Sequence, residues 1–423
     1  MWNIYGKQYN LHNYLDKHPG GKNILLACKG NDDCTAAFES YHSMVNKEKI
    51  LNIMKNFEIT EITEINDNIN SSKNIINKEF SFDQDGFYYI LTKRVKKYFL
   101  LNNLSYKANY YWYTKSIIQF FIFINTFIIA CYCKNLNIYL RCFLNIISGN
   151  FMLQVCGYSF LHEGGHFSIS KNKNINNFFS IIGNSFLLWD NQIWNLHHCF
   201  KHHSFTGTIK DPDIYHMRPF IRKSNLENLN KIIKIRKNIF PIYSVFILTI
   251  FPGYWLGQVI SYNIFIYKKY LWKMRLNNYK INYFELLLKL FMLYSLFQTK
   301  SLSVTYFFIL SLNITYFLTI LPDHDMFETH NNLINKTKNI DWGELQVRNS
   351  GNFSNDFPLI NYLYGGINYQ IEHHLFPTIN HVHFPEIKKI VKKTCIEFNI
   401  KYIEHKTIYS AIKSSLINLY NLN

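Results

Sequence analysis

Five long apolar segments limit what this 423-residue chain can fold into. Residues 116–133 and 138–161 are separated only by residues 134–137, and each is long enough to cross a hydrocarbon core of about 30 Å as a helix. They predict a tight helical hairpin in a membrane. The later apolar segments cover residues 240–267, 284–297 and 302–321. Together the five segments predict an all-α membrane protein.

Three histidine clusters lie just beyond apolar segments or in the polar C-terminal region: HEGGH at 162–166, HHCFKHH at 197–203 and QIEHH at 370–374. An HxxxH spacing places two imidazoles one turn apart on one helix face, where both can reach one metal. The predicted ligands are His162, His166, His198, His202, His203, His373 and His374. Seven imidazoles exceed one tetrahedral zinc site, so the set predicts two metal ions. Imidazole binds iron, copper, zinc and nickel alike, so the ligands alone do not identify the metal.

The histidine clusters also constrain the topology. All three must face one side of the membrane, so an even number of crossings separates the second from the third. One of the three later segments therefore does not span, and we predict that it is 240–267, which contains two prolines and two glycines. That choice keeps the basic residues 267–280 on the same side as the other basic loops. The predicted architecture has two helical hairpins, four spanning helices and a cytosolic helical cap from Asp323 onward, with both termini cytosolic.

The net charge of +17 raises the question of a nucleic-acid partner. The basic residues, however, lie between apolar segments, as in 222–237 and 267–280. That placement favours contact with anionic lipid headgroups, and the chain contains no zinc-finger motif. We therefore expect membrane lipid, and no nucleic acid, as a partner.

The three clusters, in this order and separated by hydrophobic hairpins, resemble the membrane fatty-acyl and sphingolipid desaturase superfamily. The third cluster, within GGINYQIEHHLFP at 365–377, resembles the front-end desaturases, in which Gln replaces the first His. Flanking residues add to the likeness: Trp194, Asp211, Pro212, Asp213, Asp341, Trp342 and Gln346. The chain has Glu163 where Asp is usual and Gly207 where Asn is more common, which leaves the subfamily open.

The resemblance implies a non-haem di-iron centre that uses oxygen as co-substrate and two electrons to oxidise an acyl chain. It implies that the seven histidines are iron ligands and that Gln370 lies in or beside the ligand set. A further ligand is expected at His324, with His330 as the alternative. His197 is the spare member of the second cluster, either a neighbour of the ligands or without a role. No metal role is expected for His12, His216, His381, His383 and His405.

The N-terminal region carries a second pair of motifs. HPGG at 18–21 and YHS at 41–43 resemble the haem-ligand loops of cytochrome b5, and His18 and His42 lie 24 positions apart, as in that family. A strand is expected over residues 2–9. Bis-histidine ligation leaves no open position for oxygen, so haem b held there would pass electrons. The predicted domains are a small α+β haem domain (1–58), a linker and pre-membrane region (59–110) and the membrane di-iron domain (111–423).

The combined prediction is oxygen-dependent desaturation of a fatty acyl lipid or acyl-CoA, with the double bond introduced toward the carboxyl end. Electrons would come from an NADH-cytochrome b5 reductase through the fused haem domain. Two alternatives stay open: sphingolipid long-chain-base desaturation or lipid hydroxylation on the same scaffold, and a non-catalytic membrane haem electron carrier. Residues 1–21 have no apolar core, so no cleavable signal peptide is expected, and the resemblance implies the endoplasmic reticulum.

Overall fold

The computed structural model describes residues 1–30, 33–59, 80–216, 223, 240–329 and 339–422, and most of these are helical. Three helices in this part of the chain are long and apolar enough to cross a membrane: Tyr110–Tyr132, Ile138–Gly165 and Leu302–Thr329. The first two form the predicted hairpin, closed by residues 133–137. The expectation of a mostly helical membrane protein is thus confirmed.

The segment predicted not to span is broken in the structure. Its two parts, Tyr243–Ile250 and Gly253–Lys268, are bent by 81° relative to each other and make a fourth candidate span only if they are counted together. The bend falls at Pro252 and Gly253, as expected of residues that interrupt a helix. The helix Tyr283–Gln298 has 16 residues and rises about 24 Å, less than the thickness of a typical hydrocarbon core.

The membrane helices pack through a small residue and buried polar groups. A Cβ on Gly149 would lie 2.3 Å from the carbonyl oxygen of Phe308, so glycine permits the close approach of the second and third helices. The same helices are joined by the Asn145 side chain, which donates to the carbonyl oxygen of Val304 at 2.9 Å. Exposed side chains such as Phe121 are large and apolar, as a lipid-facing surface requires.

The N-terminal region begins with a hairpin, in which Trp2–Ile4 pairs antiparallel with Lys7–Tyr9. The single strand expected over residues 2–9 is therefore wrong. Tyr5 and Gly6 both have positive φ, 53° and 75°, which is the conformation of a two-residue hairpin turn. The helical elements that follow are His12–Tyr14, Lys22–Cys28, Thr35–Tyr41, Lys47–Met54 and Lys55–Phe57.

The polar C-terminal region forms a cap against the helix Phe87–Leu101, whose Leu91 and Val95 are fully buried with Ile387 and Val391 of the cap. The cap helices are Trp342–Arg348, Pro358–Tyr364, Gln370–Leu375, His381–His383, Phe384–Glu397 and Ile408–Leu422. Short strand pairs tie it together: Phe80–Ser81 with Ile340–Asp341, and Asn352–Phe353 with Glu404–His405, both parallel.

The remaining elements connect the membrane helices. They are the helices Lys173–Phe186, Asn191–Trp194, His203–Phe205, Pro212–Ile214 and Phe327–Thr329, and the antiparallel strands Tyr270–Leu271 and Met274–Arg275. Lys173–Phe186 packs on the second membrane helix where a Cβ on Gly183 would lie 2.3 Å from the carbonyl oxygen of Cys156. This close contact holds the first two histidine clusters near each other.

Candidate active site

The first histidine cluster lies where the second membrane helix ends. Residues Leu153–His162 are π-helical, and Glu163–Gly165 completes the helix. The rings of His162 and His166 have centroids 4.8 Å apart. Gly165 is needed here because a Cβ would lie 2.2 Å from the Trp194 ring.

The second cluster is also π-helical, over Asn195–His202. The rings of His198 and His202 are stacked, with centroids 5.2 Å apart. Trp194 stacks on the other side of His198 at 4.6 Å. The turn from His198 to His202 lies within the wider π-helix, which is frequent at functional sites. In the first cluster the π-helix ends at His162, and the turn to His166 is closed by an α-helical bond from His166 N–H to the carbonyl oxygen of His162 at 3.1 Å.

The third cluster lies on the cap helix Gln370–Leu375, and His324 ends the third membrane helix. His324 Nε2 lies 3.1 Å from His202 Nε2 and 2.8 Å from Gln370 Nε2. The structure therefore brings His324 into the histidine site. His330, the alternative, lies outside the described residues.

The eight histidines lie together in three groups. The third group shares one histidine with each of the other two. One contains His162, His166, His198 and His373, another contains His202, His324 and His374, and the third contains His203, His373 and His374. Within each group the ligand atoms lie within 4.8 Å of one another. His203 Nε2 lies 3.0 Å from His373 Nε2 and 3.3 Å from His198 Nε2, so it joins two groups.

The outer ring nitrogens in the second group have hydrogen-bond acceptors. His202 Nδ1 donates to Asp211 Oδ1 at 3.0 Å, and His374 Nδ1 donates to Gln346 Oε1 at 2.9 Å. His324 Nδ1 donates to a backbone carbonyl oxygen, that of Asn349, at 2.8 Å. A proton on Nδ1 leaves Nε2 free to bind a metal, and ligating histidines almost always have such a partner.

His166, in the first group, is held in the same way from the N-terminal domain. Its Nδ1 lies 2.7 Å from the hydroxyl oxygen of Tyr41, which in turn donates to the carbonyl oxygen of Cys199 at 3.2 Å. His166 Nε2 is buried and has no hydrogen-bond partner among the residues that the structure describes. The tautomer that this arrangement favours directs a lone pair into the site.

The site favours neutral imidazoles almost throughout. Burial, reinforced by neighbouring imidazoles, lowers the pKa well below the ordinary value for His166, His198, His203, His373 and His374. His202 differs: burial opposes its charge, but Asp211 and Asp213 raise its pKa to about 9. Several inward lone pairs at about 3 Å repel one another unless a cation lies among them, so these residues fit metal ions. Gln370 Oε1 is buried without a hydrogen-bond partner in the described part of the chain, so it offers a further oxygen ligand.

Two histidines outside the predicted ligand set support the site. His197 Nε2 lies 2.6 Å from Asp213 Oδ1 and its Nδ1 lies 2.9 Å from the Tyr262 hydroxyl, so His197 faces away from the metal groups. His381 Nδ1 donates to Glu163 Oε1 at 2.8 Å, and the Trp112 indole also donates to Glu163. These bonds tie the first cluster to the cap.

The other histidines expected to have no metal role are absent from the metal-capable groups in the described part of the chain. His12 packs against Trp2, and His216 packs against Trp272. His383 contacts the carbonyl oxygen of Lys107, and His405 contacts Glu328 at 3.4 Å.

The N-terminal pair forms a separate pocket. The rings of His18 and His42 have centroids 6.2 Å apart, which leaves room for one iron between imidazoles with bonds of about 2 Å. His18 Nδ1 donates to the carbonyl oxygen of Gly21 at 3.2 Å, and His42 Nδ1 donates to that of Phe38 at 2.8 Å. Burial lowers the pKa of His18 to about 4 and also lowers that of His42, so both imidazoles are neutral, as haem ligation requires.

Comparison with known proteins assigns both regions. The fatty acid desaturase family model matches residues 138–406, well over half of the chain. The chain belongs to the fatty acid desaturase family. A cytochrome b5-like haem/steroid binding domain matches residues 1–62. This desaturase is therefore an integral membrane oxidoreductase with a fused haem-binding domain, and its family generally uses iron.

Several curated relatives resemble the desaturase along nearly its whole length. An acyl-lipid (8-3)-desaturase of Physcomitrium patens is 25% identical over 98% of this chain and 86% of the relative. A Delta(5) fatty acid desaturase A of Dictyostelium discoideum is 27% identical over 99% of this chain and 89% of the relative. An acyl-lipid (8-3)-desaturase of Mortierella alpina is 25% identical, covering 98% and 92%. No solved structure matches significantly.

Proposed function

We propose that this desaturase introduces a double bond into a fatty acyl lipid, or acyl-CoA, on the carboxyl side of an existing double bond. The observation that carries the proposal is the convergence of eight histidines beside a fused haem pocket. The names of the relatives, which include Delta(5) and acyl-lipid (8-3) desaturases, support the front-end position. The proposed domains are 1–58 for haem, 59–110 as the linker and pre-membrane region, and 111–423 for desaturation.

Two non-haem irons fit the histidine site. The first group, His162, His166, His198 and His373, would hold one iron. The second group, His202, His324 and His374, would hold the other. His203 would lie between the two irons and Gln370 beside the second. When bound, such a centre uses oxygen as co-substrate to supply the oxidising power that no amino-acid side chain has.

The protein's own contribution is orientation and exclusion of water. Asp211, Gln346 and Tyr41 accept the Nδ1 protons of three of the histidines and so direct Nε2 inward. Burial of most of the ligands keeps water out, which strengthens electrostatic interactions inside the site and prevents side reactions. The acyl chain must bring an unactivated CH₂–CH₂ unit against these rings from the membrane side.

Electrons would enter through haem b held between His18 and His42. Two histidine ligands would leave such a haem no position for oxygen, so it would pass electrons. An NADH-cytochrome b5 reductase is the proposed source. This arrangement requires the haem domain and the active site to be on the same side of the membrane.

The proposed topology has four crossings, with the active site and both termini cytosolic and the protein in the endoplasmic reticulum. Three of the crossings, Tyr110–Tyr132, Ile138–Gly165 and Leu302–Thr329, are long enough to span. The fourth, Tyr283–Gln298, has 16 residues and would cross where the bilayer thins around it. The pair Tyr243–Ile250 and Gly253–Lys268, bent by 81°, is either a broken span or a re-entrant segment, and the even number of crossings favours the re-entrant segment. Tyr283–Gln298 also packs on the first span, where the Tyr132 hydroxyl lies 3.1 Å from Ser295 Oγ.

Lipid mass spectrometry of yeast that expresses the chain and is fed a panel of unsaturated fatty acids tests the proposal. We expect a new double bond on the carboxyl side of an existing one, lost in His202→Ala and reduced in His42→Ala. A new product found only among sphingoid bases or hydroxylated lipids would favour sphingolipid desaturation or lipid hydroxylation over acyl desaturation. No product, together with no non-haem iron in the purified protein, would indicate the haem electron carrier.

A further inference from the structure

One side chain contacts the haem loop and the metal centre. Tyr41 immediately precedes His42 and is the last residue of the helix Thr35–Tyr41. Its hydroxyl oxygen lies 2.7 Å from Nδ1 of His166 and 3.2 Å from the carbonyl oxygen of Cys199. The Tyr41 and His166 rings are nearly parallel, with an interplanar angle of 21° and centroids 6.0 Å apart. A single residue therefore joins the two predicted cofactor sites.

The surrounding interface holds this contact in place at three further points. Lys173 Nζ donates to the carbonyl oxygen of His18 at 3.3 Å, Asn277 Nδ2 to that of Lys29 at 3.0 Å, and Lys96 Nζ to that of Val45 at 3.0 Å. The three donors come from separate segments of the membrane region and its flanks. The acceptors are all backbone atoms of the haem domain, so the domain is held in one orientation.

We propose that Tyr41 is the bridge through which electrons pass from the haem pocket to the metal centre. The proposal rests on the proposed function, since it requires haem at His42 and iron at His166. The path runs along the backbone from His42 to Tyr41, through the Tyr41 side chain and across one hydrogen bond of 2.7 Å to His166. Every other connection on this path between His42 and His166 is a covalent bond.

The electron balance is simple. Each transfer oxidises the haem iron from Fe(II) to Fe(III) and reduces the non-haem centre by one electron, and Tyr41 ends the transfer chemically unchanged. Two transfers accompany each double bond. Together with two protons from solvent and two hydrogen atoms from the acyl chain, the two electrons convert one oxygen molecule into two waters. The reductase restores the haem to Fe(II) with electrons from NADH.

The hydroxyl of Tyr41 is the part of the residue that the bridge requires. It accepts from His166 Nδ1 and donates to Cys199, so both of its hydrogen bonds have defined directions. Tyr41→Phe removes both bonds and keeps the ring that packs beside His166. Tyr14→Phe is the matched control: Tyr14 lies beside the other predicted haem ligand, His18, with ring centroids 6.2 Å apart.

The test uses the full-length protein loaded with haem and iron in lipid nanodiscs, reduced without oxygen and mixed with acyl substrate and oxygen in a stopped-flow cell. Haem absorbance reports oxidation of the haem, and iron-free protein gives the background rate. We expect Tyr41→Phe to slow the iron-dependent oxidation of the haem several-fold, because the hydrogen bond to His166 that completes the path is lost. Tyr14→Phe should keep the wild-type rate. Both variants are saturated with iron and matched to the wild type in iron content, and their haem spectrum and Tm should not change.

A second measurement separates the bridge from damage to the metal centre. Reduced methyl viologen, which donates electrons to the centre without the haem, should restore product formation by Tyr41→Phe to the wild-type level. An unchanged rate of haem oxidation in Tyr41→Phe would overturn the proposal. So would a failure of methyl viologen to restore product in the iron-saturated variant, because Tyr41 would then act only on ligand position. If wild-type protein shows no iron-dependent haem oxidation, the proposed function itself fails.

Discussion

The haem pocket and the metal centre orient their histidines by different means. In the haem pocket, Nδ1 of His18 and Nδ1 of His42 both donate to backbone carbonyl oxygens, of Gly21 and Phe38. These acceptors lie three and four positions from the histidines that they hold, so the loop itself sets the ring orientation. No side-chain substitution removes such an acceptor.

In the metal centre, three histidines use side-chain acceptors, which lie 9 to 125 positions away in the chain. They are Tyr41 for His166, Asp211 for His202 and Gln346 for His374, whereas His324 uses a backbone carbonyl oxygen. A substitution can therefore remove an acceptor from the metal centre, but it cannot remove one from the haem pocket. This difference determines which substitutions should affect iron and which should affect haem.

The largest effect should come from removing a ligand. His202→Ala should abolish desaturation, more than about 100-fold, because its loss leaves the second group short of a ligand. His42→Ala should also reduce activity, but soluble cytochrome b5 added in trans should restore part of it. Lipid mass spectrometry of the purified variants measures both. Restoration of His202→Ala by cytochrome b5, or none for His42→Ala, would contradict the separation of the two sites.

The next largest effect should come from Asp211→Asn. The substitution keeps the shape of the side chain but removes the charge that raises the pKa of His202. Iron affinity should fall roughly 10–100-fold, with haem content unchanged. Iron retained against a graded chelator provides the measurement, and Asp356→Asn, at an exposed carboxylate of the cap, is the matched control. Equal iron retention in both variants would show that Asp211 does not orient a ligand.

A smaller effect is expected for Gln346→Ala. Gln346 is uncharged, and Thr206 Oγ1 also lies 3.1 Å from His374 Nδ1 and can accept its proton. Iron affinity should fall roughly 3–10-fold. The double variant with Thr206→Val should lose more than the sum of the two single variants in free energy. Additive losses, measured by the same chelator series, would mean that the two acceptors do not substitute for each other.

The smallest effect should come from Gly20→Ala in the haem pocket. The new Cβ would lie 2.9 Å from His18 Cε1, and the ring can move by a few tenths of an ångström to avoid it. We expect a loss of haem affinity of roughly 2–5-fold, the cost of turning the His18 ring away from its preferred rotamer, with iron content unchanged. Haem titration followed by absorbance measures it. A loss of iron in this variant would contradict the independence of the two sites.

The sequence predicted the helical membrane fold, the first hairpin and the break near Pro252, because apolar length and helix-breaking residues act locally. It also identified the histidines that the structure brings together, including His324, although their role as ligands stays a prediction. The π-helical turns were not predictable, since the spacing HxxxH is compatible with either kind of helix. The hairpin turn at Tyr5 and Gly6 was missed because tyrosine rarely adopts positive φ.

The contacts that join distant segments could not be predicted from the sequence. Tyr41 meets His166 across 125 positions, and His381 meets Glu163 across 218. Neither pair has a local pattern, because each joins residues that are far apart in the chain. The role of Asn349 could not be predicted either, because its backbone carbonyl oxygen, and not its side chain, accepts the hydrogen bond from His324. Flanking residues such as Asp211 and Gln346 were recognised only through the family resemblance.

The most direct test of the central claim is the metal content of the purified full-length chain. We expect two non-haem irons and one haem per chain, with both irons reduced or lost in His202→Ala and the haem retained. A chain that carries its haem but holds zinc, or no metal, at the histidine site would contradict the assignment of a di-iron centre.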